Sequence, residues 1–193
     1  VVAAMGTFFV FSDYMKPAVR IAALMQVPVK FIWTHDAFRV GEDGPTHEPV
    51  EQEAQIRLME KLKNHAGKDS VRVFRPADAD ETTVCWKLAM ENVETPTALI
   101  FSRQGIAKLP EGTDYEQAAK GAYIVAGSDE NPDVILVASG SEVSTLEAGC
   151  EALRADGIKV RVVSAPSEGL FRGQSKEYQE SVLPKNAKIF GMT

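Results

Sequence analysis

The sequence predicts an α/β fold made of parallel sheets with helices on both faces. Apolar segments of strand length alternate along the chain with longer segments whose apolar residues recur at helical spacing. Most of the short segments are apolar throughout, which is typical of strands buried on both faces of a sheet. The helical segments between them are long enough to serve as crossover connections between parallel strands.

Six segments are predicted as strands because they are short, apolar and rich in β-branched residues. They cover residues 29–34, 71–74, 97–101, 122–125, 134–138 and 160–163. Five segments with helical periodicity are predicted as helices, over residues 12–25, 49–64, 78–92, 142–155 and 175–182. Pro49 suits a first helical position and Gly157 suits the position after a last turn, so both support these limits.

Between residues 104 and 120 the alternation gives way to a polar stretch that contains Gly105, Pro110 and Gly112. Glycine and proline interrupt regular structure, and both strand and helix signals resume after this stretch. We therefore predict two domains, residues 1–110 and residues 111–193.

The composition narrows the classes of function. The chain has 193 residues, a formal net charge of −6 and an isoelectric point near 5.2, which argues against a nucleic-acid partner. Cys85 and Cys150 both fall in predicted helices, where they are expected to fill core space rather than form a disulfide or a metal site. No apolar run reaches the length of a membrane span, and no secretion signal is visible. We expect a cytoplasmic protein without a membrane partner.

Two histidines and several carboxylates flank one glycine-containing loop. His35 follows directly on a predicted strand, and His47 lies just before the helix predicted at Pro49, with Asp43 between them. Open α/β sheets bind ligands in the crevice beyond the carboxyl ends of their strands, so this cluster is expected to face a ligand. Imidazoles and a carboxylate suit hydrogen bonding to hydroxyl groups and proton transfer. Structural hydrogen bonding stays an alternative for each histidine, and the spacing also permits a metal site, although no third histidine or cysteine completes one.

Further signals lie elsewhere in the chain. Phe8, Phe11 and Tyr14 recur every three residues, which indicates either the core stripe of a helix or an aromatic pocket for a planar ring. Arg103 follows an apolar strand, where a guanidinium is either a surface charge or a group that binds phosphate or carboxylate. The turn at residues 139–141, Ser-Gly-Ser between a strand and a helix, is a weaker candidate for an anion site.

Taken together and in this order, these segments resemble the transketolase family. The matching motifs are Gly-Thr-Phe at residues 6–8 with its aromatic continuation, Thr-His-Asp at 34–36, GEDGPTHEPVE at 41–51 and Ser-Arg-Gln at 102–104. The resemblance implies a pyrimidine-binding domain over residues 1–110, incomplete at its start, and an incomplete transketolase C-terminal domain over residues 111–193. It also implies transfer of a two-carbon ketol unit from a ketose phosphate to an aldose phosphate, in the pentose phosphate pathway, by a homodimer.

The resemblance assigns roles to the candidate residues. Phe8, Phe11 and Tyr14 would line the aminopyrimidine pocket of thiamine diphosphate. His35, Asp43 and His47 would contact the sugar, with both histidines in catalytic roles, and Arg103 would hold the terminal phosphate. The diphosphate and its divalent metal, magnesium or calcium, would be held by an N-terminal domain, so no metal ligands are assigned here.

The sequence also departs from the family pattern. The family's catalytic glutamate belongs before Gly6, and residues 1–5 do not match that segment. A stretch common in the family is missing near residues 185–189, and the N-terminal domain is not represented. We therefore expect the chain by itself to be inactive. Dihydroxyacetone synthase, deoxyxylulose-phosphate synthase and a non-catalytic module that binds a sugar phosphate or a partner stay alternatives.

Overall fold

The computed structural model describes residues 2–36, 40–127 and 131–192, which form two compact units. The first unit runs to Arg75 and resumes over Trp86–Gly105. The second unit comprises Pro76–Cys85 and continues from Ile106. Among the described residues, no helix is long and apolar enough to cross a membrane.

A four-stranded parallel sheet forms the centre of the first unit. Its strands are β1 (Ala4–Phe8), β2 (Lys30–Thr34), β3 (Arg72–Phe74) and β4 (Thr97–Ile100), and their order in the sheet is β1-β2-β4-β3. Every pairing is parallel, so the predicted α/β class is confirmed for this unit. β1 was not predicted, because this edge strand is mostly exposed and lacks a continuous apolar run.

Two helices connect the first three strands of this sheet along the chain. α1 (Ser12–Met25) has the predicted limits, whereas α2 (Gln52–Glu60) is shorter than predicted. Residues 49–51, predicted as helical, lie before its start, and the Val50 amide there donates a hydrogen bond of 2.8 Å to the Gln52 side chain. After its end, a short turn is closed by a bridge between Lys63 and Asp69. The buried core of the unit contains Phe9, Phe31, Trp33, Ile56, Val73 and Ile100.

The second unit is built on a mixed sheet. Its strands are β5 (Tyr123–Ala126), β6 (Val134–Ala138), β7 (Val160–Ser164) and β8 (Lys188–Met192), in the order β5-β7-β6-β8. β6 pairs in parallel with β7 and β8, but β5 is antiparallel to β7. The prediction that residues 122–125 belong to a parallel sheet is therefore wrong. An apolar run reports burial and carries no information about strand direction.

The remaining helices are α3 (Ala79–Glu91), α4 (Glu142–Ala155), α5 (Glu168–Arg172) and α6 (Lys176–Val182). α3, α4 and α6 match predicted helices, while α5 is too short to give a periodic signal. Cys85 and Cys150 are both buried, as predicted. Gly121 has a φ of 90° and no space for a side chain, since a Cβ atom there would lie 2.3 Å from the Ser167 carbonyl oxygen.

Candidate functional site

The candidate residues gather at one edge of the first sheet. Phe8 is the last residue of β1, and His35 comes directly after β2. Arg103 follows β4, which ends at Ile100. Because all four strands are parallel, their carboxyl ends lie at the same edge, which is where open α/β sheets bind ligands.

The three aromatic residues form an open cluster rather than a buried stripe. The ring centroids of Phe8 and Phe11 are 6.2 Å apart, and those of Phe11 and Tyr14 are 6.4 Å apart. Phe8 and Phe11 are half-buried and Tyr14 is 83% exposed, whereas Phe9 between them is 1% exposed. Phe9 therefore supplies the core contact of this segment, and the core-stripe alternative for the other three residues is excluded.

Both histidines contact this aromatic cluster. The His35 ring centroid lies 3.9 Å from that of Phe8. His47 lies 5.5 Å from Phe8 and 5.6 Å from Phe11, the latter edge to face. The structure thus brings together residues that are far apart in the sequence, and it places apolar ring faces next to groups able to donate and accept protons.

The backbone at His35 is unusual. Its φ is 62°, in the left-handed region that residues other than glycine rarely adopt. The side chain is fixed by two polar contacts: the Thr34 hydroxyl lies 3.0 Å from Nδ1, and Asp43 Oδ2 lies 3.4 Å from Nε2. Strained conformations of this kind concentrate at functional sites, where the surroundings hold them.

Arg103 contacts the carboxylates of the glycine-containing loop. Its Nε lies 2.8 Å from Asp43 Oδ2, and its Nη2 donates to Glu42 Oε1 at 2.5 Å. The charge of Glu42, and then that of Asp43, raises the pKa of Arg103 above its usual value. Asp43 therefore lies between a histidine and an arginine, and the guanidinium that was predicted to bind an anion is paired with acidic side chains of the protein.

A polar group that was not predicted lies beneath this edge, with two buried members and one half-buried member. It consists of Asp36, Arg75 and Ser102, each just after a strand of the sheet. Arg75 directly follows the predicted strand 71–74, so the signal that identified Arg103, an arginine at the end of a strand, was present there as well. Asp36 and Ser102 belong to the Thr-His-Asp and Ser-Arg-Gln motifs, but only the fold shows that their side chains meet.

No metal centre is found in the part of the chain that the structure describes, because no three His, Cys, Asp or Glu side chains there are placed to hold an ion. The turn at residues 139–141 connects β6 to α4 in the second unit, and the serine side chains in it are buried. Nothing in its geometry marks it as an anion site.

Two family profiles match the chain. That of "Transketolase, pyrimidine binding domain" covers residues 1–108, and that of "Transketolase-like TK C-terminal domain" covers residues 121–193. The chain belongs to the transketolase family. The resemblance drawn from its motifs is thereby confirmed, as is the α/β fold that the resemblance implied.

Individual transketolases agree with this assignment. A transketolase from Halalkalibacterium halodurans is 50% identical over 183 residues, which are 94% of this chain and 26% of the relative. A Pichia stipitis transketolase in complex with sedoheptulose-7-phosphate has a TM-score of 0.86 and 41% identity, over 97% of this chain and 26% of that one. The chain thus spans about a quarter of the length of these transketolases.

A more distant transketolase structure is closer to this chain in extent. It is a split-gene transketolase, an inactive β4 tetramer. Its TM-score is 0.65 at 26% identity, over 88% of this chain and 51% of that chain.

Proposed function

We propose that this chain forms the aminopyrimidine and ketose-phosphate part of a transketolase site, in an enzyme that transfers a two-carbon ketol unit from a ketose phosphate to an aldose phosphate. The main support for this proposal is that an aromatic cluster, two histidines, Asp43 and Arg103 converge at one edge of a parallel sheet. Membership of the transketolase family supports the same assignment. We also propose that this enzyme acts in the pentose phosphate pathway, is located in the cytoplasm and forms a homodimer.

The aromatic cluster fits the planar ring of thiamine diphosphate. Phe8, Phe11 and Tyr14 keep ring surface accessible, and aromatic faces hold planar heterocycles by stacking or edge contacts. The bound cofactor supplies the carbanion chemistry of ketol transfer, while the protein supplies binding and orientation. We propose that its diphosphate and a magnesium or calcium ion are held by a domain that longer relatives carry.

The polar residues bind and orient the sugar. In this proposal Asp43 accepts a hydrogen bond from a donor hydroxyl, and His35 and His47 hold or move protons near the reacting carbonyl. Arg103 binds the terminal phosphate, because its planar fork matches two phosphate oxygens. A phosphate would replace the exposed Glu42 carboxylate at the guanidinium.

Residues beyond these 193 are required for activity in this proposal. The chain spans about a quarter of its relatives, and the split-gene transketolase that it resembles over 88% of its length is an inactive tetramer. The diphosphate site and the glutamate that activates the cofactor would come from those further residues.

The test is Arg103→Ala in the full-length protein that carries these residues. A charged hydrogen bond contributes about 1.5 to 3 kcal/mol, so the KM for a phosphorylated ketose should rise roughly tenfold to a hundredfold. The phosphate is remote from the bond that breaks, so kcat should change little, and an unphosphorylated ketose should be almost unaffected. Arg103→Lys should restore only part of the loss, because an ammonium group lacks the planar fork.

Arg20→Ala is the matched control, because Arg20 is an exposed arginine on α1 of the same unit. It should leave the KM and kcat for both donors unchanged. If Arg103→Ala raised the KM equally for phosphorylated and unphosphorylated donors, the phosphate assignment would be contradicted. Arg103 would then have a structural role in the site instead.

A further inference from the structure

One carboxylate oxygen beneath the site accepts hydrogen bonds from two different strand ends. Asp36 Oδ2 lies 3.0 Å from Nε and 2.8 Å from Nη2 of Arg75, and it accepts a hydrogen bond of 3.0 Å from the Ser102 hydroxyl. Asp36 lies just after β2, Arg75 directly after β3, and Ser102 just after β4. This group therefore ties together the carboxyl ends of three adjacent strands.

The group is withdrawn from water. The side chains of Asp36 and Arg75 are each 1% exposed. Burying an ion pair is costly, and the cost is offset only where geometry is good and further hydrogen bonds are present. Ser102 supplies one such bond, and Glu53 Oε2, 3.6 Å from Arg75 Nη1, adds a second carboxylate next to the guanidinium. An arrangement of this kind holds its members in one geometry.

Two members of the group are chain neighbours of proposed substrate residues. Asp36 follows His35, whose strained φ of 62° must be held by its surroundings, and the Asp36 amide donates to the Phe101 carbonyl at 3.2 Å. Ser102 precedes Arg103. A shift of either neighbour would therefore move a side chain that the proposed function uses.

We propose that Asp36, held by Arg75 and Ser102, is a positioning residue that sets the backbone of Arg103 for binding of the phosphate of the ketose. This inference rests on the proposed function, because it assigns Asp36 an effect through residues that would touch the substrate. Asp36 itself is buried, so the effect assigned to it is indirect. The link from Asp36 to Arg103 runs through the Ser102 hydroxyl, which makes that hydroxyl the place to test it.

The experiment uses Ser102→Ala in the full-length protein. Removing Asp36 or Arg75 would leave an uncompensated buried charge and risk unfolding, whereas Ser102→Ala removes a single hydroxyl. We expect the KM for a phosphorylated ketose to rise about threefold to tenfold while kcat stays within about twofold. An unphosphorylated ketose should show no change in KM.

Ser70→Ala is the matched control. Ser70 is a buried serine of the first unit, and its hydroxyl donates one hydrogen bond, to the Met59 carbonyl at 2.7 Å, away from the site. It should leave the KM for both donors unchanged. The positioning role is refuted if Ser102→Ala leaves the KM unchanged, as Ser70→Ala should, or if it raises the KM equally for both donors.

A double-mutant cycle separates this inference from the proposed function. If Ser102 acts through Arg103, then Ser102→Ala should add nothing to the KM of an Arg103→Ala enzyme. A full, additive effect in that background would overturn the positioning role while leaving the phosphate assignment intact. If Arg103→Ala alone fails to discriminate between the donors, the proposed function fails, and with it the positioning role that depends on it.

Discussion

Asp43 is the residue at which the charges of the site meet. Its Oδ2 lies 2.8 Å from Arg103 Nε and 3.4 Å from His35 Nε2. Glu42 next to it also contacts Arg103, although the Glu42 side chain is 78% exposed. A phosphate that binds Arg103 must compete with Glu42, so this residue is expected to weaken phosphate binding slightly.

Glu42→Gln should therefore improve binding of phosphorylated donors. Exposed ion pairs are weak, so the KM for a ketose phosphate should fall by up to about fivefold, with kcat unchanged. The gain should shrink at high salt, because screening weakens the original pair. Steady-state kinetics of the full-length protein at low and high ionic strength measure this.

Glu91→Gln removes the same charge from an exposed position at the end of α3 and serves as the control. It should change the KM for a ketose phosphate only as much as the loss of one negative charge from the whole protein does. An unchanged or increased KM in Glu42→Gln would mean that Glu42 helps to hold Arg103 in place rather than competing with the phosphate.

At the scale of elements, the start of α3 is held to the rest of the second unit by buried polar contacts. Asp78 accepts hydrogen bonds from the Leu109 amide at 3.0 Å and from the Tyr115 hydroxyl at 2.7 Å. Glu81, in the first turn of α3, accepts one from the Ser164 hydroxyl of β7 at 2.7 Å and is fully buried. Burial raises the pKa of Glu81 to about 7, against the hydrogen bonds from Ser164 and the Ala77 amide, which lower it.

This pKa predicts that stability falls as pH rises through a defined range. The folded protein keeps the Glu81 proton up to about pH 7, whereas the unfolded chain loses it near the ordinary glutamate pKa of 4.5. Between these values the folded state binds more protons, so the free energy of unfolding should decrease by on the order of 3 kcal/mol as pH rises. Above about pH 7 this contribution is fully lost.

Glu81→Gln should remove that pH dependence, since a neutral amide can keep contacts with both Ser164 and the Ala77 amide. Denaturant unfolding at about pH 5 and about pH 8 gives the two free energies for each variant. Glu151→Gln, at an exposed position of α4, is the control and should retain the wild-type pH dependence. A Glu81→Gln protein with the wild-type pH dependence would show that Glu81 ionises normally in the fold.

At the scale of the whole molecule, the sequence predicted what depends on burial and periodicity. The fold class, α1 with its limits, and the strands with continuous apolar runs followed from those patterns. The edge strands β1 and β8 were not predicted, because each is mostly exposed and a glycine, Gly6 or Gly191, interrupts its apolar residues. The direction of β5 depends on pairing across the sheet, which the local sequence does not encode.

The same contrast holds for the candidate site. His35, His47 and Arg103 were found because charge or imidazole interrupts an apolar segment or flanks a glycine-containing loop. The group of Asp36, Arg75 and Ser102 was not found, because it depends on contacts over 39 and 66 positions of sequence. The roles of the individual site residues stay predictions until the substitutions described above are measured.

The proposed reaction is measured in a ketol-transfer assay, with a ketose phosphate as donor, an aldose phosphate as acceptor, and thiamine diphosphate and magnesium at saturation. It is applied to the full-length protein and to the 193-residue chain by itself. We expect the full-length protein to form the exchanged sugar phosphates and the chain by itself to form none. Turnover by the isolated chain, or a folded full-length protein that binds the cofactor but transfers no two-carbon unit, would contradict the account.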